Sequence, residues 1–400
     1  MEWLSKVVFE MHNLAEALSL MGHNVYAIDY PNRWIKISSF DFGSLKTARI
    51  SNVSRAIPGS SVEVRHPGFI KIPVLSRFSA AFTHFFEIKR VIKEKNIDII
   101  ILYSVATNGL QTLWLARKFG IPVVFRSIDI LHRLVRNPIL RLPTKIFEKM
   151  VYANVDEILA ITPNHVRYVI SMGAPESKVK LLLLPIDRHI FHQSNQDFKL
   201  RQKLGIADND HVIVFIGTLF EFSGLDLFIR QFTHIAQQIP EAKLLIVGDG
   251  PQRLKLKQTI AELGLQKQVI MTGLQPYQTM PQYISLATVC INPFLDTEAT
   301  RDIFPGKIIQ YLACGKATVV TPLRGITALL PRDSNSIVYA HNAEEMAKEV
   351  INLLKSSEHR KRLGQAALNY VKQAHDQQNI ARQFEKELHE IIGKKLVSVD

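Results

Sequence analysis

The chain has 400 residues, enough for two or three domains, and its 47% hydrophobic content excludes a disordered protein. Its two cysteines, Cys290 and Cys314, both in apolar contexts, exclude a disulfide framework or a cysteine metal site and read as buried small hydrophobes suited to a reducing cytoplasm. The net charge of +13 is uneven: residues 1–200 hold 26 Lys+Arg against 16 Asp+Glu (+10), the remaining 200 hold 23 against 20 (+3). A basic N-terminal half suits anionic lipid headgroups or nucleic acid. No aromatic-interleaved basic run, zinc finger or RNA-binding signature argues for nucleic acid. No stretch approaches the roughly 18 apolar residues of a membrane span, and Glu2, Glu10 and Glu16 break a signal-peptide layout.

Trp3, Leu4, Val7, Val8, Met11, Leu14 and Leu18 recur at helical spacing, so residues 3–21 read as one helix stopped by Gly22. A strand over 24–29 follows, then a short strand at 62–65, an amphipathic helix over 79–95 and an apolar strand at 98–103. Residues 108–119 form a helix, and 122–126 a strand that runs into Asp129 and His132. Residues just past a strand's carboxyl end are where open α/β sheets bind ligands, which makes Asp129 a candidate, whereas His132 reads as a surface or core histidine. Over 133–149 basic residues alternate with Leu, Ile and Phe. That suits an interfacial membrane segment, or equally a solvated helix with its apolar face on the core. Strands at 156–162 and 179–185 complete a first doubly wound parallel sheet.

The polar stretch 193–209 marks a boundary, and a second α/β pattern starts at His211. Strands at 211–219, 243–247, 269–273 and 289–293 alternate with helices at 224–238, 252–263 and 279–287. Residues 302–320 then parse as loop, helix, Gly stop and strand, with Pro305 suited to the helix's first turn and Ile308, Ile309, Leu312 and Ala313 on one face. The unpaired amides near Phe304 to Lys307 form an anion site to which Lys307 adds charge, flanked by Asp302 and Gln310. Three charged amphipathic helices end the chain.

The segment from Asp302 to Val320 resembles the Glu-x7-Glu segment of family-4 glycosyltransferases, with Asp302 and Gln310 standing where the family has its two acids. Residues 246–251 (Ile-Val-Gly-Asp-Gly-Pro) and Thr272-Gly273 are further matches in the right order, and residues 20–25 resemble the Gly-His turn after that fold's first helix. The family's usual first strand and Gly-rich loop are expected to be missing here, and Thr218 and Ser223 replace an Arg and a Lys that grip the diphosphate. Lys307, Arg301 and the helix dipole near Phe304 are the candidates to take over part of that charge, Arg301 reading equally as a solvated loop residue.

The resemblance implies a GT-B fold, α/β, with two doubly wound Rossmann-like domains facing a cleft. The N-terminal domain is placed at 1–192, the nucleotide-sugar domain at 193–375, and a helix at 376–400 crossing back. It implies retaining transfer of a hexose-type sugar from a nucleoside diphosphate donor to a saccharide or lipid-linked acceptor, in cell-surface polysaccharide or glycolipid synthesis. Asp302 and Asp129 are the catalytic candidates. Gly217, Thr218, Ser223, Gly224, Gly248, Gly273, Phe304, Pro305, Gly306, Lys307 and Gln310 are the donor-binding ones. No metal and no cofactor beyond the donor substrate are expected. The expected location is cytoplasmic, peripheral at an anionic membrane face. A non-catalytic relative that binds a nucleotide sugar or a partner enzyme is the alternative, and an epimerase or phosphorylase on the same fold a second one.

Overall fold

The computed structural model describes residues 3–4, 8–30, 41–72, 75–105, 107–135 and 137–397. The chain forms two compact units, one of residues 1–185 with 378–400, the other of residues 186–377.

In the first unit, helix α1 spans Glu10–Leu20 rather than 3–21. It starts where the Phe9 amide donates to His12 Nδ1 (3.0 Å), a local cap that ends the run of helical periodicity. Trp3 is buried all the same, packed with Met11, Val62 and Val64. The place where a first strand is expected to be missing lies largely outside the described residues. Strands β1 (Val25–Ile28), β2 (Ala48–Val53) and β3 (Val62–His66) form a sheet of order β1-β3-β2. In it β2 runs antiparallel to β3, which corrects the expectation of a purely parallel sheet. Exposed Arg49 and Ser51 on β2 show why its apolar pattern was too weak to read. Glu16 on α1, fully buried, accepts the amides of Arg55, Ala56 and Ile57 (2.7–2.8 Å) and so fixes the β2–β3 turn.

Helix α2 (Leu75–Lys95) begins one turn earlier than its periodicity predicts. Strands β4 (Ile100–Leu102), β5 (Val123–Ser127), β6 (Glu157–Ala160) and β7 (Val179–Leu181) make an all-parallel sheet in sequential order, joined through helices α3 (Gly109–Phe119), α4 (Pro138–Asn154) and α5 (Pro163–Ser171). Strands β5 and β6 are buried throughout, Arg126, Ser127 and Glu157 included, as central strands of a parallel sheet covered on both faces are.

The second unit holds helices α6 (Phe198–Lys203), α7 (Leu225–Gln238), α8 (Arg253–Glu262), α9 (Met280–Ser285), α10 (Gly306–Ala313), α11 (Arg324–Thr327), α12 (Ala343–Lys355) and α13 (Ser357–Ala374). Its strands are β8 (His211–Ile216), β9 (Ala242–Val247), β10 (Val269–Gly273), β11 (Val289–Asn292), β12 (Thr318–Val320) and β13 (Val338–Tyr339). They form one parallel sheet of order β10-β9-β8-β11-β12-β13. The order reverses between β8 and β11, and such a switch point opens a crevice at the strands' carboxyl ends. The last helix, α14 (Gln377–Val397), belongs with the first unit: Ile380, Phe384, Leu388 and Ile391, on one face, pack on Leu14, Leu18, Val124 and Leu159.

Candidate functional site

At the switch point the Gly217 and Gly248 turns interlock. Gly217 N donates to Val247 O (2.9 Å), Leu219 N to Asp249 O (3.1 Å), and Gly248 N to Gly273 O (2.9 Å). Gly248 has φ +144°, and a Cβ there would stand 2.0 Å from Gly217 O, so only glycine lets these two backbones meet. A Cβ on Gly217 would in turn sit 2.6 Å from Lys307 Nζ. Gly224 opens α7 beside Pro293 O, where a Cβ would stand 1.9 Å away.

Strands β8 and β11 pair only as far as Val214 and Cys290. Beyond that divergence the amide of Ile216 donates to the hydroxyl of Tyr311 (2.7 Å), which is fully buried on α10. This bond fixes α10 against the Gly217 turn and gives the motif's tyrosine a physical role. Helix α10 starts at Gly306, with Pro305 as its cap residue. The Ile308 amide closes on Pro305 O (3.0 Å), while those of Gly306 and Lys307 have no backbone acceptor among the described residues. These two amides form the positive end of the helix, a place that favours negative charge.

Lys307 supplies the cation. Its Nζ lies 3.9 Å from the Phe215 ring centre and 4.5 Å from that of Phe294. No carboxylate pairs with it among the described residues. Desolvation without a counter-charge pulls its pKa from the usual 10.5 down to about 7. Gln310, one turn further along, keeps its amide unpaired among the described residues. Asp302 is held by Arg324, whose Nε is 3.3 Å from Oδ1, and the loop is pinned by a bond from Gly325 N to Arg301 O (3.1 Å).

Three sequence expectations change. The Ser223 hydroxyl is buried and donates to Phe220 O (2.6 Å), so it serves its own turn. The Phe304 ring is buried and stacks on His375 at 6.0 Å, which leaves its backbone rather than its side chain at the helix entrance. Arg301, a candidate to replace the missing cations, pairs with Asp296 (2.8 Å). Thr218 remains half-buried beside Gly217. Sequence reasoning missed Arg324 and also Asn292, a fully buried residue at the end of β11 whose two amide atoms lack partners among the described residues. It missed Arg253 too, which pairs with Asp249 (2.8 Å) and lies 4.0 Å from a Cβ on Gly273. No sequence motif marks any of the three.

Asp129 lies in the first unit, just beyond β5, and is not brought to this cluster by its own unit. Burial pushes its carboxyl up to about 6, and among the described residues it has no hydrogen-bond or ion-pair partner. His132 is neither a plain surface nor a plain core histidine. The fully buried Glu148 accepts from its Nδ1 (2.6 Å), its amide (3.2 Å) and the Tyr168 hydroxyl (3.0 Å). That contact directs Nδ1–H at the carboxylate and leaves Nε2 as the ring's acceptor. Glu148 is 16 residues away in sequence, so no local pattern announces the pair.

Two family models divide the chain: "Glycosyltransferase Family 4" matches residues 10–189 and "Glycosyl transferases group 1" matches residues 196–370. The phosphatidylinositol N-acetylglucosaminyltransferase GPI3 subunit of Saccharomyces cerevisiae is 22% identical over 88% of this chain and 73% of its own. The alpha-monoglucosyldiacylglycerol synthase of Streptococcus pneumoniae is 25% identical over 54% of this chain and 52% of its own. The chain spans 62%, 54% and 60% of the length of the first three curated relatives it matches. Among solved structures, sucrose-phosphate synthase of Thermosynechococcus elongatus superposes with a TM-score of 0.72 at 16% identity, covering 95% of this chain and 92% of that one. Anabaena HepE, solved with UDP and glucose, gives 0.67 at 20% identity, covering 82% and 86%. Matched in each half by a glycosyltransferase model and sharing its two-unit α/β fold with these proteins, the chain belongs among the glycosyltransferases of the GT-B fold.

Proposed function

We propose that the protein is a retaining glycosyltransferase that moves a hexose-type sugar from a nucleoside diphosphate sugar to a saccharide or lipid-linked acceptor at an anionic membrane face on the cytoplasmic side. The observation that carries the donor half is the Lys307 ammonium, without a carboxylate partner among the described residues, set beside the Gly306 and Lys307 amides at the switch point. The leaving group of such a donor is a diphosphate, and fixed donors aimed at its developing charge lower the barrier. Lys307 and the two amides provide that, Asp302 orients the donor sugar, and Gln310 meets the ribose. HepE is solved with UDP and glucose, which supports a uridine donor.

The acceptor half rests on the first unit. Helix α4 exposes Ile139 (81%), Leu142, Ile146 and Met150 among the exposed cations Arg141, Lys145 and Lys149. Helix α2 exposes Phe78 (71%), Phe82 and Phe86 at i, i+4 and i+8. Helices α2, α3 and α4 pack side by side, and Trp114 on α3 is exposed as well. Apolar and basic side chains on one face suit an interface of anionic lipid. Among the described residues no helix is long and apolar enough to cross a membrane. One of the similar proteins is named as a phosphatidylinositol N-acetylglucosaminyltransferase subunit and another as an alpha-monoglucosyldiacylglycerol synthase, which supports a lipid-linked acceptor. A cavity lined by Val105, Thr107, Leu110, Gln111 and Phe147 beside α3 and α4 offers an acceptor both apolar and amide contacts.

Calorimetry with UDP-, GDP- and dTDP-sugars tests the donor site: base-selective binding that Lys307→Met weakens is expected, and no binding to any of them sinks the reading. Co-sedimentation with anionic vesicles at low salt tests the surface, with loss expected on replacing Arg141, Lys145 and Lys149 by Glu. Binding of donor without sugar transfer to any acceptor favours the non-catalytic alternative, to which the replacement of two cations by Thr218 and Ser223 points.

A further inference from the structure

The C-terminal helix carries a second polar cluster, remote in sequence from the donor motifs. Among the described residues, His23, Glu385 and His389 bring three ligand atoms within 4.8 Å of one another. His23 follows Gly22 in the turn between α1 and β1. Glu385 and His389 are four residues apart on α14 and therefore share one face of it. His23 Nε2 stands 2.7 Å from Glu385 Oε1, and the His23 and His389 ring centres are 5.8 Å apart. The helix is not rotated into this position by the polar groups. Phe384 and Leu388, adjacent in sequence to the two α14 residues, are locked in the core against Leu14 and Leu18, so packing presents Glu385 and His389 to His23.

The donor set is two imidazoles and one carboxylate, with no thiolate. Nitrogen-rich sets of this kind select borderline ions such as Zn2+, Co2+ and Ni2+ over Mg2+ and Ca2+, which demand oxygen. Bonds of about 2.0–2.1 Å in a tetrahedral shell place ligand atoms about 3.3 Å apart. The present spacing reaches that by side-chain rotation, since His389 is exposed and His23 and Glu385 are half-buried. The neighbouring Lys386 lies 3.9 Å from Glu390, so its charge is directed to another carboxylate. Three protein ligands leave a fourth position to solvent.

We propose that His23, Glu385 and His389 form a zinc-class metal site that clasps the C-terminal helix to the α1–β1 turn. The site is structural and independent of the donor reading, which it neither needs nor supports. The test uses the untagged full chain stripped with a chelator, titrated with Zn2+ by calorimetry and with Co2+ by visible absorption. One ion per chain, a raised melting temperature and a cobalt d–d band of low-coordinate type are expected. His389→Ala is expected to weaken binding by at least about tenfold, while its melting temperature in chelator stays that of the parent because the ring is exposed. Glu385→Gln is expected to weaken binding while keeping the bond to His23. No saturable binding at about 100 µM Zn2+ overturns the proposal, because an ion that weak stabilises nothing at cellular concentrations. Equal affinity in the His23→Ala and His389→Ala variants and the parent also overturns it, as does equal preference for Mg2+.

Discussion

The proposed donor site holds a cation whose charge depends on pH, and on that reading donor affinity depends on pH too. With its pKa near 7, the Lys307 ammonium is charged in most empty molecules at pH 6. At pH 8 about one empty molecule in eleven carries the charge, and at pH 9 about one in a hundred. A nucleoside diphosphate sugar keeps constant charge over this range, so the proton must come from solvent. Affinity is therefore expected to be flat below about pH 6 and to fall by up to tenfold per pH unit above 7. The assay is calorimetry at pH 8 in two buffers of different ionisation enthalpy. It should show close to one proton taken up per donor bound, against close to none at pH 6. Lys307→Met should lose both the affinity and its pH slope. The same variant reports on stability. The folded pKa lies below the unfolded one, so between about 7 and 10.5 the unfolded chain holds the extra proton and stability rises with pH. Lys307→Met should lack that rise and be more stable than the parent below pH 7. Equal binding heats in both buffers at pH 8, together with pH-independent affinity, would refute the reasoning.

Tyr311→Phe removes the acceptor of the buried Ile216 amide and should cost about 1–3 kcal/mol in denaturant unfolding, with weakened donor binding because α10 loses its tie to the Gly217 turn. Gly248→Ala forces a Cβ onto Gly217 O at a positive φ. It should destabilise by about 3 kcal/mol or abolish soluble folding, whereas Gly22→Ala, with open space around it, should cost only the backbone strain of about 1 kcal/mol. Asp129→Asn should raise the melting temperature at pH 8 but not at pH 4.5. A carboxyl raised to about 6 on folding destabilises once pH passes from its unfolded value of about 4 to above 6. Glu148→Gln leaves the His132 ring, the His132 amide and the Tyr168 hydroxyl with a neutral acceptor in place of a buried carboxylate, and should lower stability by about 1–3 kcal/mol in denaturant unfolding while leaving donor affinity unchanged.

Elements whose apolar pattern and stop signals agree were legible from the chain alone. Strands β5, β6, β8 and β9 each hold an apolar run of three to five residues, and β8 and β9 end at glycines whose φ is +139° and +144°. Helix α10 carries proline at its start and glycine past its end. These features are local, because a strand buried on both faces and a left-handed turn each constrain the residues that form them. Together with the resemblance of 246–251, 272–273 and 302–320 to glycosyltransferase segments, they grouped Gly217, Gly248, Gly273 and Lys307 as donor-binding candidates. The start of α1 was misread because Trp3 and Val8 are buried without being helical, and periodicity cannot tell those cases apart.

Which polar atoms already have partners is settled in the folded protein. Ser223, Arg301 and Asp302 carry similar promise in sequence. In the fold the first closes its own turn and the second binds Asp296, whereas Arg324 positions the third through one oxygen. His132 is oriented by Glu148, and Lys307 sits between two phenylalanines with no counter-charge among the described residues. Hydrogen bonds and desolvation act over a few ångströms in space and are indifferent to distance along the chain. Sequence therefore determined which strands and turns would meet, while the fold alone decided which of their charges stayed free to act.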